Sequence, residues 1–202
     1  NNPIPGATSF KYNAADSGYY AVAINLNSCQ SISTPVYIKI HSLPSTLIFS
    51  ADTTTFCQGN SVNLTAHFTI GNTYQWYKNG ASLIGQTDSI LNVSQSGNYT
   101  LVQSDSLCSN LSNLISVLVK PLPLAQITAN ASTHLCYGNS VILSADSGIA
   151  STFEWFKNNS ALSEYGQQLS VADSGSYVVK VSSNGCSAFS DSVLVYQNQQ
   201  LT

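Results

Sequence analysis

The sequence repeats itself with a period of 78 to 79 residues, and this restricts it to folds assembled from like units. Gln75-Trp76-Tyr77-Lys78-Asn79-Gly80 returns as Glu154-Trp155-Phe156-Lys157-Asn158-Asn159, and these copies hold the only two tryptophans. Phe56-Cys57-Gln58-Gly59-Asn60-Ser61-Val62 returns as Leu135-Cys136-Tyr137-Gly138-Asn139-Ser140-Val141, and Gln95-Ser96-Gly97-Asn98-Tyr99 as Asp173-Ser174-Gly175-Ser176-Tyr177. The last landmark also occurs as Asp16-Ser17-Gly18-Tyr19-Tyr20, and in all three places a cysteine (29, 108, 186) follows the second tyrosine position by nine residues. Residues 1–44 therefore read as the second half of a repeat, 45–123 and 124–202 as complete ones.

Within each repeat the apolar residues alternate. Val62, Leu64 and Ala66, then Tyr74 and Trp76, then Leu91 and Val93, then Tyr99 and Leu101, then Val117 and Val119 form short runs bounded by Gly, Asn, Ser and Asp. Period-two runs of this length are strands with one apolar face. The same reading places strands on Leu47, Phe49 and Ala51, and in the first segment on Phe10, Tyr12 and Ala14, on Tyr20, Val22 and Ile24, and on Val36, Ile38 and Ile40. No helical period competes. The expected class is all-β: tandem antiparallel sandwiches, one incomplete and two complete. A half sandwich leaves an apolar face that needs cover, from further repeats of a longer chain or from strands of another molecule. Leu43-Pro44 and Leu122-Pro123, the latter beside Pro121, are short stiff joints that favour an extended rod.

Composition narrows the function. Only 7% of residues are charged, and the six cations are isolated lysines. Without a cationic patch to release counterions, nucleic acid is not an expected partner. No apolar run is long enough for a membrane-spanning helix, so direct membrane insertion is not expected.

The lone Trp on the third strand and the Asp-x-Gly-x-Tyr before the sixth resemble an immunoglobulin-type sandwich with its tyrosine corner. The match holds at Asp16–Tyr20 and Asp173–Tyr177, while the middle repeat has Gln95 in place of the Asp. The cysteines depart from the antibody pattern, whose bridge would join the positions of Ala66 and Leu101 or Ala145 and Val179. The Cys-x-Gly-x-Ser-Val opening, the Trp-aromatic-Lys-Asn centre and the Ser-Gly-x-Tyr-then-Cys ending resemble the tandem Ig-like repeats of Bacteroidota cell-surface proteins. That resemblance implies a segment of an adhesin or filament protein, exported by the type IX route and linked to gliding. Its implied partners are neighbouring repeats, identical chains in a fibre, and glycans.

Pairing cysteines within each repeat gives Cys57 with Cys108 and Cys136 with Cys186, leaving Cys29 unpaired or intermolecular; buried reduced thiols are the alternative. Disulfides would place the chain outside the cytoplasm. There is no Cys-x-x-Cys, and His41, His67 and His134 stand alone, so neither a metal nor a cofactor is expected. Glu154 and Glu164 are the nearest approach to a carboxylate pair, and read better as solvated positions than as a catalytic dyad. No nucleophile elbow or phosphate loop is present, and the expectation is no enzyme.

Tyr77, Phe156 and Tyr19 fall on outward positions and are the candidate binding surface. They carry the second functional reading, a carbohydrate-binding module appended to a secreted enzyme. Asn-x-Ser/Thr triplets are frequent in so Asn-, Ser- and Thr-rich a chain. Asp-Ser/Thr followed by an aliphatic residue or Thr is more suggestive, and resembles the O-glycan acceptor used in Bacteroidota, which marks Thr53, Ser89, Ser106 and Ser192.

Overall fold

The computed structural model describes residues 2–146 and 151–198, and they contain strands and no helix. In the first segment β1 (Gly18–Tyr20) pairs with β4 (Val36–Ile38), and β2 (Ala23–Leu26) with β3 (Cys29–Ile32). The middle repeat contributes β5 (Ile48–Phe49), β6 (Thr55–Cys57), β7 (Val62–Ala66), β8 (Thr73–Lys78), β9 (Ala81–Ser82), β10 (Ile90–Val93), β11 (Gly97–Ser104), β12 (Ser109–Leu111) and β13 (Ile115–Lys120). The last repeat contributes β14 (Gln126–Ala129), β15 (His134–Leu135), β16 (Val141–Asp146), β17 (Thr152–Lys157), β18 (Ser160–Ala161), β19 (Gln168–Val171), β20 (Gly175–Ser183), β21 (Cys186–Phe189) and β22 (Val193–Gln197).

In the middle repeat a three-stranded sheet, β10-β7-β5, faces a sheet in the order β6-β13-β11-β8-β9; the last repeat has β14-β16-β19 facing β15-β22-β20-β17-β18. In each, the opening segment switches sheets. β5 lies antiparallel to β7, while β6 runs parallel to β13, as β15 does to β22. A split first strand, whose second half lies parallel to the last strand, together with the remaining antiparallel order, is immunoglobulin-like topology. The chain holds two such sandwiches in tandem and part of a third.

Alternation built these sheets. Along β7, Val62, Leu64 and Ala66 are buried while Asn63 is exposed, and along β20 Tyr177, Val179 and Val181 are buried. Each core closes on a fully buried tryptophan. A buried indole must place its N–H, and Trp76 Nε1 donates to the Asp88 carbonyl at 2.8 Å, Trp155 Nε1 to that of Gly166 at 2.9 Å. The two residues after each Trp strand, Asn79-Gly80 and Asn158-Asn159, make a tight hairpin that pairs Lys78 with Ala81 and Lys157 with Ser160. Asn79 and Gly80 have φ of 50° and 81°, Asn158 and Asn159 of 47° and 66°, the left-handed pair that such a two-residue turn requires.

The serine and tyrosine of the Ser-Gly-x-Tyr landmark make the same hydrogen bonds in all three copies. Tyr20, Tyr99 and Tyr177 donate their hydroxyls to the carbonyls of Asp16, Gln95 and Asp173 at 2.8, 2.9 and 3.0 Å. The acceptor is main chain, so Gln95 serves as well as Asp. Ser17, Ser96 and Ser174 accept the N–H of Ile40, Val119 and Gln197 at 2.7, 2.8 and 2.8 Å, tying each corner to the last strand or, for Ile40, to the residues just past it. A Cβ on Gly97 or Gly175 would fall 2.8 or 2.9 Å from Cε of Lys78 or Lys157, which crosses that backbone.

Two local expectations are corrected. In the middle repeat Ile48, not Leu47 or Phe49, enters the core, at 3% exposure against 61% and 54%. Asn113 fixes that register, accepting from the Ile48 N–H at 2.9 Å and donating to its carbonyl at 3.0 Å. Residues 10–14 form no strand: Phe10 is exposed and Tyr12 packs on Tyr20 with ring centroids 5.8 Å apart. In the first segment Val22, Ile24, Leu26, Ile32 and Val36 are exposed, with no facing sheet among the described residues.

Candidate functional site: the junction between the two sandwiches

The feature that sets this chain apart from two independent sandwiches is a disulfide between them. Cys57, at the end of β6, is bonded to Cys186, at the start of β21, with Cα atoms 5.7 Å apart. This corrects the pairing of each cysteine within its own repeat. Cys29 and Cys136 are free and exposed, and Cys108 is free and half-buried.

Strand direction gives the physical reason. Cys57 is level with Lys120 at the far end of β13, whereas Cys108 lies past the end of β11. β11 starts level with Val117 and runs away from Lys120 for eight residues. At ~3.3 Å per residue, roughly 26 Å or more separates the two poles, several times the ~6 Å a disulfide spans. The first cysteine of a repeat sits at one end of its sandwich and the second at the other, so bonding can occur only where consecutive sandwiches meet.

Both sides of the junction are tight turns. On one, Asn60 N–H donates to the Cys57 carbonyl at 3.2 Å and Gly59 has φ 94°. On the other, Asn184 and Gly185, with φ 52° and 81°, make the two-residue turn between Ser183 and Cys186. Lys120, the last residue of β13, donates from Nζ to the Asn184 carbonyl at 2.9 Å, and Cys57 Sγ lies 3.6 Å from the Gly185 carbonyl oxygen. Cys186 is buried, at 2% exposure. A charge-assisted hydrogen bond and a covalent bond thus bracket the Lys120-Pro121-Leu122-Pro123 joint.

The other predicted residues do not converge. Tyr77 is half-buried. Phe156 is half-buried under Phe189, their centroids 5.7 Å apart and planes at 59°, so the two rings make no flat platform for a sugar. Tyr19 is 76% exposed and packs against Tyr37 across β1 and β4 at 4.9 Å. Glu154 pairs with Lys180 at 3.2 Å; Glu164 is exposed and takes no part in that pair. Thr53, Ser106 and Ser192 are exposed and Ser89 is half-buried. Among the described residues no cluster of three metal-ligating side chains occurs, and no helix is long and apolar enough to cross a membrane.

Near Cys108 the carboxylate of Asp105 accepts the N–H groups of Leu107 and Cys108, both at 2.7 Å. Those bonds hold its carboxyl below the usual range. The Lys157 ammonium is raised by its hydrogen bond to Asp173, 3.1 Å away beside the tyrosine corner. Both charges hold local backbone or side-chain geometry in place: Asp105 ties down the turn before Cys108, and Lys157 spans to Asp173.

No family model and no curated protein matches the sequence. Solved structures with a similar fold include murine CEACAM1b, at 16% identity and a TM-score of 0.37 over 76% of this chain and all of that one. The I67–I69 I-band fragment of titin aligns at 15% identity and a TM-score of 0.41, over 76% of this chain and 66% of its own. The four N-terminal Ig domains of Dscam1 isoform 6.9 align at 16% identity and a TM-score of 0.35, over 89% of this chain and 54% of theirs, so the chain spans about half of that fragment. The sandwich type follows from strand order, not from these likenesses.

Proposed function

We propose that this chain is a structural or adhesive repeat segment of an extracellular bacterial surface protein or filament, of the kind its motifs resemble in Bacteroidota, and that it works as a stiff, disulfide-stapled spacer. The observation that supports this reading is the placement of the Cys57–Cys186 bond between consecutive sandwiches. A bridge inside a domain stabilises that domain; a bridge across a joint fixes the angle between two domains. It closes a loop of 129 residues, worth roughly 5 kcal/mol of unfolded-state entropy in the chain-entropy model. Two prolines in the joint and the Lys120 contact act in the same direction. Persistent disulfides belong to oxidising surroundings, which favours a place outside the cytoplasm.

On this reading the repeats run 1–44, 45–123 and 124–202, partners are further repeats or identical chains, and the chain catalyses nothing. Some of Thr53, Ser89, Ser106 and Ser192 carry O-linked glycans; an intact mass equal to the bare polypeptide, measured on native material, would exclude this. The spacer function is tested by comparing the oxidised protein with Cys57→Ser in solution scattering. We expect the same maximum dimension in both but a broader distribution of distances in the variant. Identical distributions would show that the staple does not set the geometry.

A further inference from the structure

The junction has two halves, and the chain carries an unused copy of each. Cys136 reproduces the Cys57 half. It precedes Tyr137-Gly138-Asn139 as Cys57 precedes Gln58-Gly59-Asn60; Gly138 has φ 84° against 94° for Gly59, and Asn139 N–H donates to the Cys136 carbonyl at 3.1 Å against 3.2 Å. Cys29 reproduces the Cys186 half. It closes a two-residue hairpin opposite Leu26, as Cys186 does opposite Ser183, and the turn residues Asn27 and Ser28 are left-handed at 47° and 71°, against 52° and 81° for Asn184 and Gly185. Both thiols are free and exposed. Cys108 holds the same sequence position, but Ser106 and Leu107 are not left-handed, and the Asp105 carboxylate ties that turn down.

We propose that Cys136 of one copy of this chain bonds to Cys29 of a second copy, repeating between molecules the junction that Cys57 and Cys186 make within one. The two halves lie on different repeats, so the contact is head-to-tail and each addition exposes a fresh pair of halves. Such a heterologous contact extends into an open linear assembly and not a closed dimer. The counterpart of Lys120 is Asn198, so the lysine contact is not reproduced and the link between molecules depends on the paired turns and the bond. Formation is thiol–disulfide exchange with a small-molecule disulfide such as oxidised glutathione. One thiolate attacks it and releases one reduced thiol, the second thiolate attacks the mixed disulfide and releases another, and the two protons pass to solvent or to those thiols.

This deepens the spacer reading and rests on it. In the test, concentrated full-length chain is oxidised in a glutathione buffer and run on non-reducing gels. We expect a ladder of multimers that collapses on reduction, survives Cys108→Ser, and is lost in Cys29→Ser and in Cys136→Ser. An equimolar mixture of those last two variants should stop at a dimer. A ladder that depends on Cys108, or one built of Cys29–Cys29 or Cys136–Cys136 links, overturns the proposal. So does a chain that stays monomeric with the Cys57–Cys186 bond closed, an outcome that leaves the spacer reading standing. Failure of the Cys57–Cys186 bond to form overturns both.

Discussion

Gln103 carries an amide into the interior of the middle sandwich where its counterpart in the last one is Val181, and both are fully buried. Neither Nε2 nor Oε1 of Gln103 has a hydrogen-bond partner. An unpartnered buried amide costs about 1–3 kcal/mol, so Gln103→Val should raise the stability of the middle sandwich by an amount in that range, read as a higher urea midpoint at unchanged slope. No change would mean that the amide is satisfied in solution. Tyr99 illustrates the opposite case, a polar group well used. Burial raises its phenol above the ordinary value, so the protonated form favours the folded state. The associated stability is fully present below about pH 10 and is lost as pH rises through the folded value. Tyr99→Phe should cost about 1 kcal/mol at neutral pH by losing the hydrogen bond to Gln95, and should flatten that alkaline decline, measured as melting temperature against pH.

At the scale of turns and strands, the junction depends on a hairpin whose second turn residue, Gly185, has φ 81° and would place a Cβ 3.8 Å from the Lys120 ammonium. Space is available but the conformation is not, so Gly185→Ala should destabilise the last sandwich by about 1 kcal/mol in urea denaturation, and Gly185→Asn by less, because Asn tolerates the left-handed region. Equal costs would show that the turn relaxes. Most of these elements were legible in the sequence. Alternation exposed the strands, Lys-Asn-Gly and Lys-Asn-Asn the hairpins, and Asp-Ser-Gly-x-Tyr the corner, because each pattern serves local backbone needs. The inward position of Ile48 is not legible in the sequence, because a two-residue strand has too little alternation to fix its face and its register comes from Asn113, 65 residues away. Phe10, Tyr12 and Ala14 alternate without pairing, since alternation records a tendency and a strand also needs a neighbour. The cysteine pairing was hidden for a different reason. Repetition invites pairing within the period, but the second and sixth strands of an alternating sandwich run the same way, so a cysteine before one and a cysteine after the other lie at opposite poles. That signal was present in strand parity, though not in cysteine spacing.

Across the whole molecule, the two cores are separate, each closed on its own tryptophan, and among the described residues a short proline joint, the Lys120 contact and the Cys57–Cys186 bond link one sandwich to the other. The spacer reading therefore stands or falls on which cysteines are joined. Cleavage after lysine tests this directly, because Cys57 falls in residues 40–78 and Cys186 in 181–202, while Cys108 and Cys136 share residues 79–157, Lys120 being followed by proline and Lys157 cut. Mass spectrometry of the unreduced digest should find peptide 40–78 linked to peptide 181–202, with peptide 79–157 outside that pair. A single species joining all three peptides, as bonding within each repeat would produce, would contradict the account.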